Sequence, residues 1–317
     1  MNDSATYAGG LAGLAGAAYA GAALLHRPRT FQPSGHALAG RDQADPLPRV
    51  LRLGLGGMTV PVMPGPHGEL FLGPGAPEPG RTLRRLVLSP LFTRAKTYGG
   101  RVRRDQRVPF RLVVEFAGTN RDAETLLGAY RMLDQQLRDH ASLLSRCDGG
   151  ELVPGAVTVT VAGIVNVREL LAAQPLRYAF ADGTFDDLGS QTAPPSLVPT
   201  ISEPWTRRFG WDGREPIPAE ERHQLHAMVH AAHAEGRTVR LAGLPRGSRR
   251  ARRAVWSELG AAGVDVIADA DLPGLVRHLR RDPIADHAPQ APLPTRAVRR
   301  SSPRPAAPKP NRRREPV

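Results

Sequence analysis

Residues 237–279 read RTVRLAGLPRGSRRARRAVWSELGAAGVDVIADADLPGLVRHL, and the order of apolar and polar side chains in this stretch decides the architecture. The runs at 239–241 and 264–268 are short, apolar and rich in Val and Ile, the pattern of strands covered on both faces. Between them, 252–259 has helical spacing and stops at Gly260. After them, 272–279 starts behind Asp271, whose carboxylate suits the free amides of a first helical turn. Strand, helix, strand, helix in so short a span is the signature of βα units around a parallel sheet.

Outward from this stretch the pattern repeats. Strands are expected at 58–63, 70–72, 112–116, 157–161, 178–180 and 197–201. Helices are expected at 83–88, capped by Thr82, at 121–144 on the spacing of Leu126, Leu127, Tyr130, Leu133 and Leu137, and at 218–235, stopped by Gly236. No Gly-rich dinucleotide loop follows a strand, which disfavours an open doubly wound sheet. The alternation predicts a single (β/α)8-type (TIM) barrel over residues 31–282.

Two segments flank it. Residues 1–30 are rich in Ala and Gly, with an uncharged run at 8–25 long enough to span a bilayer. Asp3 precedes the run, and His26, Arg27 and Arg29 follow it, the reverse of a cleaved secretory signal. That charge order favours a membrane anchor with the barrel on the cytoplasmic side, and a membrane-associated or cytoplasmic protein over a secreted one; a signal peptide with a misassigned start and a non-membrane extension stay open. Residues 283–317 are Pro-, Ala- and Arg-rich with few large apolar side chains, and are expected to be a disordered basic tail.

The 317 residues carry a net charge of +13. Such a balance points to polyanions, but Lys96 and Lys309 are the only lysines and about half of the excess lies in the tail, so nucleic acid is not the expected partner. Cys147 is the single cysteine, which excludes an internal disulfide and any cysteine-built metal centre.

Four segments carry a resemblance: Leu70-Phe71-Leu72 through Pro79-Gly80-Arg81-Thr82-Leu83; Arg177-Tyr178-Ala179-Phe180-Ala181-Asp182-Gly183; Ile201-Ser202-Glu203-Pro204-Trp205 through Phe209-Gly210-Trp211-Asp212-Gly213; and Ala261 through Asp269. In this order they resemble the phosphatidylinositol-specific phospholipase C-like phosphodiesterase superfamily, in the branch of altered inheritance of mitochondria protein 6. The resemblance implies a distorted barrel that cleaves phosphodiesters with two histidines as base and acid and a carboxylate cluster holding Mg²⁺ or Ca²⁺. Phosphoryl transfer needs both, a cation for the developing charge and groups that move protons near neutrality.

Position by position, the pattern thins. His36 stands where the resemblance puts the first histidine. Thr59 and Pro61 stand where the metal carboxylates of the second strand belong, and Gly73-Pro74-Gly75 replaces the second histidine and its acid. Glu115 keeps an acid on the third strand, without the accompanying lysine. His36 and Glu115 are therefore expected to be remnants of a catalytic site, and no metal site and no cofactor are expected. If instead these two residues serve a divergent active site, Mg²⁺ or Ca²⁺ would be required.

Other clusters remain. His223, His226, His230 and His233 share one helix face; a shared transition metal is conceivable, and a solvated outer face is the favoured reading. Arg246, Arg249 and Arg250 follow a late strand, where barrels hold phosphate groups, and are the candidate substrate-binding residues for an anionic lipid headgroup or a phosphorylated small molecule. A solvated arginine loop is the rival reading. The tail arginines could add contact with an anionic membrane. Asp182, Asp187 and Asp212 read as turn or capping residues, and Cys147 as inert. The leading expectation is a barrel of the superfamily that has lost metal-dependent catalysis and works as a binding or scaffold protein. The alternatives are an active phosphoric diester hydrolase, and polyanion or anionic-lipid binding through the 246–253 loop and the tail.

Overall fold

The computed structural model describes residues 30–38, 45–73, 77–116, 123–164 and 166–284. The strands are β1 (Gln32–Leu38), β2 (Leu55–Pro64), β3 (Leu70–Leu72), β4 (Phe110–Phe116), β5 (Arg146–Asp148), β6 (Glu151–Val153), β7 (Val157–Ala162), β8 (Leu176–Arg177), β9 (Phe180–Gly183), β10 (Thr200–Pro204), β11 (Thr238–Ala242) and β12 (Val266–Asp269). Strands β1, β2, β4, β7, β9, β10, β11 and β12 run parallel and form a closed ring. Closure falls on β1, which sets Gly35 opposite Ile267 on one side and His36 opposite Gly57 on the other. The fold is a (β/α)8 barrel.

Alternation along the strands sorts the side chains. Met58, Val60 and Val62 of β2, Leu112, Val114 and Phe116 of β4 and Val157, Val159 and Val161 of β7 are buried in the main apolar core. Their neighbours of opposite parity include Thr59, Arg111, Thr158 and Thr160, which belong to the lumen. Barrel interiors are ordinarily filled by bulky branched side chains. Here the inner set includes Thr59, Thr158 and Thr160 together with His36, Arg111, Val113 and Arg240.

The helices are α1 (Pro46–Leu53), α2 (Ser89–Thr97, entered through a π-helical turn at Arg84–Leu88), α3 (Ala123–Arg138), α4 (Val167–Ala172), α5 (Ala219–Ala234), α6 (Arg249–Ala261) and α7 (Leu272–Arg281). The Asp271 carboxylate accepts from the Gly274 amide at 3.0 Å and caps α7 as the sequence suggests. Ser248 caps α6 by accepting from the Ala251 amide at 3.1 Å, which starts that helix three residues before the sequence-based boundary.

Several expectations are corrected. The run at 70–72 is β3, antiparallel to β2 with Leu72 opposite Val62, so it forms a hairpin outside the ring. Its place in the ring belongs to β1, whose sequence QPSGHAL gives almost no apolar signal. The expected strands at 178–180 and 197–201 fall later, in β9 and β10. Leu197 and Val198 are buried in a turn closed by their amides on the Pro194 carbonyl. The expected helix at 121–144 ends with α3, and Ala141–Leu143 is a separate 3-10 turn. Strands β5, β6 and β8 form a small antiparallel sheet, in the order β6-β5-β8, that the sequence reading did not contain.

Among the described residues no helix is long and apolar enough to cross a membrane. The run at 8–25 and the tail after Ile284 lie outside the described residues.

Candidate functional site

The lumen is crossed by a chain of polar contacts. His36 Nε2 lies 2.8 Å from Thr59 Oγ1, Arg240 Nη1 approaches the same hydroxyl at 3.5 Å, and Arg240 Nη2 donates to Asp182 Oδ2 at 3.2 Å. These contacts link β1, β2, β11 and β9. A guanidinium only donates, so the Thr59 proton is left for His36 Nε2 and the ring proton goes to Nδ1. That nitrogen is buried without a hydrogen-bond partner, as are Arg240 Nε and Asp182 Oδ1. Gly57 makes room for the ring: a Cβ there would lie 2.6 Å from His36 Nδ1 and 2.6 Å from the Arg111 carbonyl oxygen.

Burial governs the charges. The Asp182 carboxyl is pushed up to about 6 by loss of solvent, against the opposing pull of Arg240 and a Ser202 hydrogen bond, with Glu115 adding to the rise. His36, fully buried, is held below the ordinary imidazole range by loss of solvent first and by the positive charges of Arg240 and Arg111 second. A neutral imidazole facing two guanidiniums results.

At the C-terminal ends of the strands, where barrel enzymes work, Glu115 is exposed. Among the described residues no hydrogen bond joins it to His36, so the two catalytic candidates occupy different levels of the barrel, one sealed in the lumen and one at its rim. A cavity of about 460 Å³ at this end is lined by Gly163, Asn166, Arg168, Asp182, Thr184 and Ser202. The two loops beside it are pinned from outside the lumen. Glu203, almost fully buried, accepts from Arg208 Nε at 2.9 Å and from the Phe185 amide at 3.3 Å. The stretch 205–211 then folds as an aromatic knot in which Trp205 stacks on Phe209 at 4.3 Å and donates to the Trp211 carbonyl at 2.9 Å.

A hard divalent cation needs several oxygens converging on it. Among the described residues no group of three or more His, Cys, Asp and Glu could hold a metal ion. Among the described residues, the Asp182 carboxylate is bound to a guanidinium and Glu115 stands exposed at the rim. Among the described residues this donor set does not fit Mg²⁺ or Ca²⁺. Of residues 73–75, where the resemblance places a second histidine and its acid, Pro74 and Gly75 lie outside the described residues.

Arg246, Arg249 and Arg250 are exposed, the first in the loop after β11 and the others in the first turn of α6. Arg249 also lines a cavity of about 310 Å³ between α6 and α7 together with Arg252, Arg253, Arg277 and Arg281. Asp271, paired with Arg252 at 3.2 Å, offsets one of these charges. On α5, His223, His226 and His230 are exposed, whereas His233 turns inward and contacts Asp265 at 2.9 Å. The four histidines therefore do not act as one face. Cys147 is buried and free on β5. Asp187 and Asp212 have the expected turn roles, the first in the capping box of Thr184 and the second accepting from the Arg214 amide at 3.1 Å.

Asp182 does not: it is a strand residue paired across the lumen. The sequence reading missed both it and Arg240. The available signal was a charged residue in the middle of each short apolar run, Val-Arg-Leu and Ala-Asp-Gly, where a ring strand has one side facing the lumen.

No family model matches the chain, and no curated protein does. Solved structures do. A glycerophosphoryl diester phosphodiesterase from Parabacteroides distasonis aligns at 11% identity and a TM-score of 0.46 over 82% of this chain and 91% of that one. A glycerophosphodiester phosphodiesterase from Agrobacterium tumefaciens aligns at 13% identity and a TM-score of 0.38 over 78% and 99%. β-Methylaspartase from Clostridium tetanomorphum aligns at 12% identity and a TM-score of 0.44 over 81% and 58%.

Proposed function

We propose that the chain is a phosphodiesterase-superfamily barrel, of the branch of altered inheritance of mitochondria protein 6, that has given up metal-dependent hydrolysis and binds an anionic group. The superfamily assignment is supported by the four sequence segments and their order along a closed barrel. The loss of hydrolysis is supported by one observation above all: the group at the centre of the lumen is the Arg240 guanidinium, bonded to Asp182 and reaching Thr59. A cation is repelled there, and the buried acid is already engaged.

The reading as an active hydrolase through His36 and Glu115 fares worse on the same geometry. A general base must reach the proton it takes, and His36 is fully buried with its Nε2 committed to Thr59. For ligand recognition we favour Arg246, Arg249 and Arg250 with the arginines between α6 and α7, a cluster suited to a phosphorylated headgroup or small molecule. Association with a membrane, through residues 8–25 and the basic tail, belongs to the same proposal.

Purified full-length protein offered a glycerophosphodiester or a lysophospholipid with Mg²⁺ or Ca²⁺ tests the central claim. The expected result is no metal-dependent turnover that distinguishes it from His36→Ala and Glu115→Ala. Metal-dependent turnover abolished in both variants overturns it.

A further inference from the structure

The end of the barrel opposite the C-terminal mouth is basic on one side. Strands β1, β2 and β4 start there, and the segment at 101–107, Arg-Val-Arg-Arg-Asp-Gln-Arg, runs beneath them. Its contacts fix its place: Arg103 donates to the Leu51 carbonyl at 2.6 Å, Asp105 accepts from the Phe31 amide at 2.8 Å, and Gln106 donates to the Ala156 carbonyl at 2.7 Å. On one flank Arg104 lies 5.6 Å from the Tyr98 ring, and Arg52 closes α1. On the other, Arg107 and Arg280, the latter from the last turn of α7, line a cavity of about 350 Å³. Carboxylates do not balance this belt. Asp105 is matched to Arg103 at 3.0 Å and Asp282 to Arg281 at 3.1 Å, and Asp45 shares a groove with Arg85 and Arg94 as well as Arg52. Among the described residues the exposed Arg52, Arg104, Arg107 and Arg280 and the half-buried Arg101 have no carboxylate partner. Further round the ring, Asp139, Asp148 and Glu235 are already paired with Arg84, Arg146 and Arg237, which leaves Glu151 of the β5–β6 turn.

The chain enters and leaves through the same belt. Thr30 and Ile284, the first and last described residues, line the cavity that Arg107 and Arg280 share. In the sequence, Arg27 and Arg29 come just before this point, behind the uncharged run at 8–25, and Arg296, Arg299 and Arg300 come after it. Guanidiniums, a half-buried tyrosine and the exits of an apolar run and a basic segment on one face suit an anionic bilayer, which offers both charge and an apolar interior. A nucleic acid would use only the charge. We propose that this belt docks on an anionic lipid surface, so that the C-terminal mouth and the Arg246 loop, at the other end of the strands, face water. The inference rests on the membrane association proposed above and gives it a direction. It also selects the ligand: the barrel takes a water-soluble phosphorylated molecule, because a headgroup still in the bilayer lies at the wrong end.

Co-sedimentation of the full-length protein with vesicles of phosphatidylcholine, with and without about 30% phosphatidylserine, at about 0.1 and 0.5 M salt tests it. Arg104→Glu/Arg107→Glu is expected to weaken binding to the anionic vesicles at low salt about tenfold or more. Arg131→Glu/Arg214→Glu makes an equal charge change at exposed positions outside the belt and is expected to weaken it less than about threefold. On bound protein, a maleimide is expected to label the Arg214→Cys variant as fast as in solution and the Thr97→Cys variant, at the end of α2 beside Tyr98, several-fold more slowly; the native Cys147 is buried. No binding to either vesicle would overturn this inference together with the membrane reading beneath it. Binding that falls equally little in the two double variants, or protection of Arg214→Cys in place of Thr97→Cys, would overturn the docking face alone and leave association through residues 8–25 and the tail standing. A single-stranded RNA that binds more tightly than the vesicles and is lost in Arg104→Glu/Arg107→Glu would assign the belt to nucleic acid and overturn it as well.

Discussion

Replacing Asp182 by Asn removes the acidic partner of a buried arginine, yet it is expected to stabilise the protein at neutral pH. Burial raises the Asp182 carboxyl to about 6 even with Arg240 beside it, so ionising it inside the barrel is less favourable than ionising it in the unfolded chain. With an unfolded value near 3.9, the native state holds a proton between about pH 4 and 6 that the unfolded state has lost, and stability therefore falls as pH rises through that window. The shift of about two units corresponds to roughly 3 kcal/mol, and nearer 2 once the partial exposure of the carboxylate is allowed for. Asn mimics the protonated form and avoids this loss. Urea unfolding at pH 4.5, 6.0 and 7.5 should show the advantage of the variant over wild type growing with pH, from under about 1 kcal/mol at the lowest to about 2 kcal/mol at the highest. His36 works in the opposite sense, so it offsets part of the wild-type slope across the window, and the variant, which keeps only the His36 contribution, rises with pH. A variant that becomes less stable than wild type with rising pH would show that Arg240 holds Asp182 below its ordinary range, and the reasoning would fall.

His36→Gln tests the other half. The unfolded imidazole takes up a proton below about pH 6.5 that the buried one refuses, so wild-type stability is lost as pH falls through that value, and the variant should gain on wild type between pH 7 and 5 in urea midpoints. Gly57→Ala puts a methyl 2.6 Å from both the His36 ring and the Arg111 carbonyl, for a loss of about 1–3 kcal/mol in thermal or urea unfolding. Arg237 is 1% exposed and donates to the carbonyls of Val198 at 2.7 Å and Ala193 at 2.6 Å; Arg237→Met should cost about 3 kcal/mol, read as a lowered urea midpoint at unchanged slope. Trp205→Ala, which empties the centre of the aromatic knot, should cost about 3–5 kcal/mol by the same measurement.

The barrel was legible because most of its outward-facing strand residues are apolar and its helices carry their own stop signals, such as Gly236, Gly260 and Asp271. The strands that escaped or slipped are those in which apolar content and strand position part company. In β1 the apolar signal is nearly nil, since Gly35 and His36 occupy its middle. Before β10, Leu197 and Val198 are buried by a turn, and the strand itself begins at Thr200. The site was less legible than the fold. His36 and Glu115 could be named from a pattern, but the partner of each depends on strand parity and on contacts across the ring. Arg240 and Thr59 meet from positions remote in the chain, and no local spacing encodes that meeting. His233 shows the same limit on a helix, where periodicity groups it with three solvent-facing histidines and Asp265 draws it inward.

The seam between β1 and β12 has a consequence for how the molecule is made. The first strand of the ring finds one of its two neighbours only when the last strand arrives, so during synthesis it waits with one row of amides and carbonyls unmatched until nearly the whole barrel has left the ribosome. Contacts this distant in the chain are slow to form, and a waiting strand border invites pairing with another copy. Assembly from partial barrels, or exchange of the opening strand between molecules, is the failure to which this topology is most exposed.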